Sequence, residues 1–193
     1  MKFMALVTNL VCLNVLWLLC CLPVVTAGAA TTAMYHVIFQ YITQQDDAVI
    51  KPFFKGFWEN FRGVTPIWIL HLLIAAVMGA ECFYLYWGAP DWLIWAFGVL
   101  LVLFLGISAY LYPLMARYDA PPKRAVFNSV ILALRYLGTT VCTAILHAAP
   151  ILLLVFAPEY FSNMLLFWLL GGFSMIAYLN AKMLMMVFKK VEK

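Results

Sequence analysis

Along this chain, long apolar runs alternate with short polar breaks. The runs are residues 4–22, 66–87, 92–114, 136–156 and 161–179. Each is about 19 to 23 residues long and, at about 1.5 Å per residue, crosses a hydrocarbon core of about 30 Å as a helix. The pattern therefore predicts an all-α, polytopic transmembrane helical bundle with five spans. Residues 29–43 are a possible sixth. Ala33, Met34, Val37, Ile38 and Tyr41 share one face there, opposite a polar stripe of Thr32, His36, Gln40 and Thr43, so this segment packs against protein or lies at the interface. At about 23 Å it is marginal for a crossing. If it crosses, it forms a hairpin with the first span and Lys2 is cytoplasmic; if it lies flat, the N-terminus is outside. The small residues 27–33 would let the two helices approach closely. Residues 51–62 predict one cytoplasmic interfacial amphipathic helix. On a helical wheel Phe53, Phe54, Phe57, Trp58 and Phe61 fall on one side, and Lys51, Lys55, Glu59 and Arg62 on the other. The reading for this helix is a membrane anchor or a docking surface, with Phe53, Phe54, Lys55, Phe57, Trp58, Phe61 and Arg62 as its contact residues.

Charge orients the bundle. The breaks at 88–91 and 157–160 contain no Lys or Arg, whereas Lys51, Lys55 and Arg62, then Arg117, Lys123 and Arg124, then Lys182, Lys189, Lys190 and Lys193 mark three other regions. The positive-inside rule puts those three in the cytoplasm, the C-terminus among them. The hairpin at 29–43 is favoured because Lys2 then obeys the same rule. Composition agrees with the class. With 67% hydrophobic and 10% charged residues, too few polar side chains exist to cover a water-soluble fold. The lipid bilayer is the partner implied, and the net charge of +4 is scattered over loops, with no basic-aromatic groove for nucleic acid. No repeat, linker or low-complexity stretch divides residues 1–193, which predicts a single integral membrane domain. The N-terminal run resembles a secretory signal but exceeds a signal core of about 7 to 15 residues, so it reads as an uncleaved first span. Cys12, Cys20, Cys21, Cys82 and Cys142 all sit in apolar stretches and read as packing residues. Lipidation at Cys20 or Cys21 is disfavoured by Leu18 and Leu19, where cleavage wants small residues.

Polar residues at membrane depth are the candidate chemistry. His36, Glu81 and His147 are the possible intramembrane contacts, and His71 lies one turn into the second run. For His147, with Pro150 three residues on, the two readings are a kinked helix that satisfies the imidazole locally and a substrate or proton contact. Glu81 can reach the outer headgroups, and Arg135 should snorkel inward, leaving residues 125–134 as a partly cytosolic extension of the fourth span. Thr140, Ala144 and Ala148 repeat every four residues as a helix-packing stripe. The chain carries no Cys or His pair at metal spacing, no phosphate loop, no Gly-x-Ser-x-Gly turn and no intramembrane carboxylate pair. No enzyme, cofactor or metal is expected.

Residues 13–35, Leu-Asn-Val-Leu-Trp-Leu-Leu-Cys-Cys-Leu-Pro-Val-Val-Thr-Ala-Gly-Ala-Ala-Thr-Thr-Ala-Met-Tyr, followed by Phe53-Phe54-Lys55-Gly56-Phe57-Trp58-Glu59-Asn60-Phe61-Arg62, resemble the YesL-like family of bacterial integral membrane proteins, domain of unknown function 624. Beyond about residue 70 the likeness is one of layout, carried by Tyr112-Pro113-Leu114, Asn128, Ala133-Leu134-Arg135 and Lys189. The resemblance implies the cell membrane of a Gram-positive bacterium and a role in carbohydrate uptake. On that basis the chain is expected to be a non-catalytic accessory or assembly subunit of an oligosaccharide ABC importer, partnered by its permease subunits and ATPase. The Glu-Ala-Ala loop with which a permease grips its ATPase is missing, which favours a companion over a permease. The alternative is a small oligomeric transporter or channel in its own right.

Overall fold

The computed structural model describes residues 2–44, 48–86, 88, 90–118 and 121–192, and these contain helices and turns but no strand. Trp87 at the end of the second run, Ala89 of the first basic-free break and Lys193 of the tail lie outside them. In chain order the helices are α1 (Lys2–Cys21), α2 (Ala27–Gln44), α3 (Ile50–Tyr86), α4 (Asp91–Arg117), α5 (Pro122–Arg135), α6 (Leu137–Phe156), α7 (Pro158–Asn163), α8 (Leu165–Phe167) and α9 (Phe173–Val191). A short 3-10 turn (Val24–Thr26) joins α1 to α2, and a π-helical turn (Trp168–Gly172) makes α8 and α9 one element. Among the described residues, five helices are long and apolar enough to cross a membrane: Met4–Cys21, Ile50–Leu85, Asp91–Arg117, Leu137–Phe156 and Leu165–Val191.

The polar-striped segment turned out to be the centre of the molecule. α2 is not apolar enough to stand among those five, yet Ala29, Ala30, Ala33, Met34, Tyr35, Val37, Ile38 and Phe39 are all buried. Thr32 is buried too, its hydroxyl donating to the Gly28 carbonyl at 3.1 Å. A helix wrapped in protein meets side chains where its neighbours meet lipid, so polar positions are admissible if bonded. α2 doubles back along α1, tied by the Trp17 indole N–H donating to Thr31 at 3.1 Å. Its small residues, expected to admit α1, chiefly admit α3. A Cβ on Gly28 would lie 2.6 Å from the Trp68 Cβ and 3.2 Å from Val64, while at the other end Gly56 of α3 lies against the His36 ring.

α3 corrects a second expectation. Residues 51–62 are not a separate surface helix: they continue without a break into the next span, giving 37 residues in one helix with Pro66 inside it. Proline removes the bond to the Arg62 carbonyl but is tolerated where neighbours stabilise the helix. The neighbouring Thr65 hydroxyl bonds the Phe61 carbonyl at 2.5 Å. The aromatic face also divides. Phe53 and Phe57 are buried in the core, and Phe54 and Trp58 are exposed.

At the other polar join, α5 is a helix of its own and not an extension of the fourth span, because the chain turns at Tyr136 (φ −117°, ψ 55°). α5 buries Ala125, Ser129, Leu132 and Ala133 but leaves Val126, Phe127, Ile131 and Leu134 outward. It is therefore a second amphipathic element. α4 crosses α6 where Gly106 faces Thr140, so close that a Cβ on Gly106 would sit 2.2 Å from the Thr140 methyl. Thr140 and Ala144 of the packing stripe are buried there. The last span starts later than its apolar run suggests, after the short helix α7 and Met164, and ends at Val191.

Buried amides hold this frame. Asn14 of α1 donates to the Trp168 and Leu169 carbonyls at 3.0 and 2.8 Å and accepts the Ser174 N–H at 2.9 Å, serving groups that the π turn releases. Asn180 of α9 donates to the Tyr35 hydroxyl at 2.8 Å and to the Ala109 carbonyl at 3.2 Å, joining α2, α4 and α9.

Candidate functional site

Six helices meet around a cavity of about 370 Å³ beside the α1–α2 turn. α1 supplies Trp17, α2 Thr31 and Tyr35, α3 Trp68 and His71, α4 Ser108 and Tyr112, α6 His147 and Pro150, and α9 Phe173. The wall is built rather than accidental. Trp68 is anchored by its indole N–H, which donates to the Val24 carbonyl at 2.7 Å. His71 stacks on Trp68 with ring centroids 5.5 Å apart and lies 4.6 Å from the Phe104 ring. Ser108 donates to the Phe104 carbonyl at 2.6 Å and stands 3.4 Å from His71 Nε2. Its hydroxyl hydrogen is already used, so toward His71 it can only accept.

His147 is arranged differently. Its Nδ1 is 2.8 Å from the Thr143 carbonyl. A carbonyl only accepts, so Nδ1 holds the proton and Nε2 of the neutral ring is an acceptor. The wall carries aromatic faces, two imidazoles and hydroxyls, and no formal charge among the described residues. An ion placed there would lack a counter-charge in a low-dielectric setting. The arrangement suits an uncharged small molecule with a ring or alicyclic face and a hydrogen-bond donor for His147.

Of the three polar residues singled out in the sequence, only His147 lines this cavity, and it does so with His71. Glu81 is exposed on the far half of α3. His36, in mid-α2 next to Tyr35, is outside the cavity wall; its Nε2 is 3.0 Å from the Gln40 amide nitrogen and its Nδ1 3.5 Å from the Ala116 carbonyl, and so it acts as a joint between α2 and α4. The residues that sequence reasoning passed over are Trp17, Tyr35, Trp68, Ser108 and Tyr112. Their signal was available in part: an indole or phenol inside a span needs a partner for its polar atom.

The second candidate surface is the start of α3. Phe53 and Phe57 plug into the core, Phe61 is half-buried, and Phe54 and Trp58 project outward at 41% and 68% exposure. Lys55, Glu59 and Arg62 are exposed beside them. The outward residues form an aromatic and basic ridge.

An uncharacterized protein of Bacillus subtilis (strain 168), YteU, is 27% identical over 192 residues, covering 93% of this chain and 81% of that one. No solved structure matches. Residues 10–82 match the family described as a protein of unknown function, DUF624, a range that includes Asn14, the α1–α2 turn, the ridge and the cavity-wall residues of α1, α2 and α3, from Trp17 to His71.

Proposed function

We propose that this protein is a non-catalytic subunit or assembly factor that accompanies a bacterial carbohydrate ABC importer, docking on its permease subunits and ATPase. In this reading it resides in the cell membrane of a Gram-positive bacterium with its C-terminus in the cytoplasm. The observation that carries the reading is the division of labour on α3. Buried Phe53 and Phe57 already seat the helix, so exposed Phe54 and Trp58, with Lys55 and Arg62 beside them, are surplus to folding and free for a partner. The setting of sugar uptake is what the resemblance of residues 13–35 and 53–62 implies, and it is part of this proposal. Charge reversal at Lys55 and Arg62 tests it: the protein should remain folded and inserted, while importer permeases and ATPase no longer co-purify in fixed ratio and sugar uptake falls. Unchanged recovery and uptake would reduce the ridge to a membrane anchor.

A second reading, a small transporter acting as an oligomer, is favoured by the uncharged cavity with His71 and His147 in its wall. Here the pure protein in liposomes should carry an uncharged solute, and His147→Ala should abolish the flux without loss of folded protein.

A further inference from the structure

The end of the bundle where α4, α5 and α9 finish holds a second cavity, of about 300 Å³. α5 and α9 both pack on α4 but not on each other, so the cavity is a groove between them. Its floor is apolar, made by buried Leu114, Leu132 and Phe188 with exposed Ile131 at its edge, and its rim is polar, with Asn128, Arg135, Tyr118 and Glu192. The rim charges are not equivalent. Glu192 is already claimed: Arg117 pairs with it at 2.9 Å, and the Tyr118 hydroxyl donates to it. Arg135 has no carboxylate partner among the described residues; its guanidinium sits 5.8 Å from the Tyr136 ring centroid. Lys123 and Arg124 lie one end of α5 away, and Lys189 and Lys190 are exposed near the end of α9. The outward face of α5 is apolar, with Phe127 at 67% and Leu134 at 53% exposure, so this helix is suited to the boundary between headgroups and chains.

We propose that this groove is a site for an anionic phospholipid, with the phosphate at Arg135 and Asn128 and an acyl chain along Leu114, Ile131, Leu132 and Phe188. An apolar slot and one uncompensated guanidinium side by side match a molecule that carries both a hydrocarbon chain and a phosphate. A water-soluble anion would use only the rim, and a zwitterionic lipid brings a cationic group that competes with Arg135. α5 and α9, which do not pack on each other, would then be bridged by the bound lipid.

Native mass spectrometry of the full chain, with dioleoyl phosphatidylglycerol and dioleoyl phosphatidylcholine added in equal amount, reads the site directly. The phosphatidylglycerol adduct should dominate by about fivefold, the effect of one basic residue near an anionic phosphate. Arg135→Gln should erase that preference and Arg135→Lys should retain most of it. Lys182→Gln, the same charge change on an exposed residue outside the groove, should leave it intact. Glycerol 3-phosphate should not displace the lipid. Equal retention of the two lipids by the wild-type chain, an undiminished preference in Arg135→Gln, or displacement by glycerol 3-phosphate would each overturn the assignment, and the first needs no variant to fold.

Discussion

Asn14 offers the sharpest test of how the frame is held. Its side chain is fully buried, and three hydrogen bonds join it to the π turn: two from its amide nitrogen to the Trp168 and Leu169 carbonyls and one from the Ser174 N–H to its oxygen. Asn14→Leu keeps the branched outline but with bulkier methyl groups, so the loss combines the polar contacts with some overpacking. Interhelical hydrogen bonds in membrane proteins contribute about 0.6 kcal/mol on average and up to about 1.7 kcal/mol. Three of them give an expected destabilisation of about 2 to 5 kcal/mol. Reversible unfolding in bicelles, followed by tryptophan fluorescence, measures it. Hydrogen exchange at Ser174 should speed up by the corresponding factor, since its N–H loses its acceptor. A midpoint within about 0.5 kcal/mol of wild type, with Ser174 still protected, would show that the π turn satisfies itself and that Asn14 is merely a space-filler.

The remaining predictions concern the ridge, the helix crossings, the C-terminus and the topology. Phe53→Ala should lower stability by about 3 to 5 kcal/mol, as a buried aromatic does, whereas Trp58→Ala should change it by less than about 1 kcal/mol; equal losses, read from the same unfolding curves, would refute the division of that face. Gly28→Val should cost more than about 1 kcal/mol or lower membrane yield, because a Cβ 2.6 Å from the Trp68 Cβ meets an atom fixed to the backbone. The Tyr118 hydroxyl and Arg117 hold the Glu192 carboxyl below its ordinary value of 4.5. Its tie therefore contributes fully above about pH 4.5 and is lost as pH falls through the lower folded value, so amide exchange near Phe188 should accelerate only in that acid window, and not at all in Glu192→Gln. Single cysteines at Asp91 and Glu159 in a cysteine-free chain should label from outside intact cells and one at Lys123 should not; labelling at Lys123 would invert the orientation.

The sequence by itself determined the class and the number of helices long and apolar enough to cross a membrane. A bilayer admits only backbone that satisfies its own hydrogen bonds and side chains that lipid tolerates, and both requirements are written as run length and composition, which are local. The same logic explains what it could not decide. α2 looked marginal because its hydropathy is that of a helix facing protein, and whether a polar stripe faces protein or water depends on neighbours far along the chain. The Phe53 to Phe61 face looked uniform because a helical wheel gives direction around one axis but not which arc meets α2. A single joined α3 in place of two elements, and two elements in place of one at Tyr136, follow from how neighbours tolerate Pro66 and from a turn that no residue type announces. The cavity needs residues from α1 to α9 at one depth, and the groove needs two helices to share α4 while missing each other. Such convergence is a property of crossing angles, which interhelical packing selects, and periodicity within one helix carries no record of it.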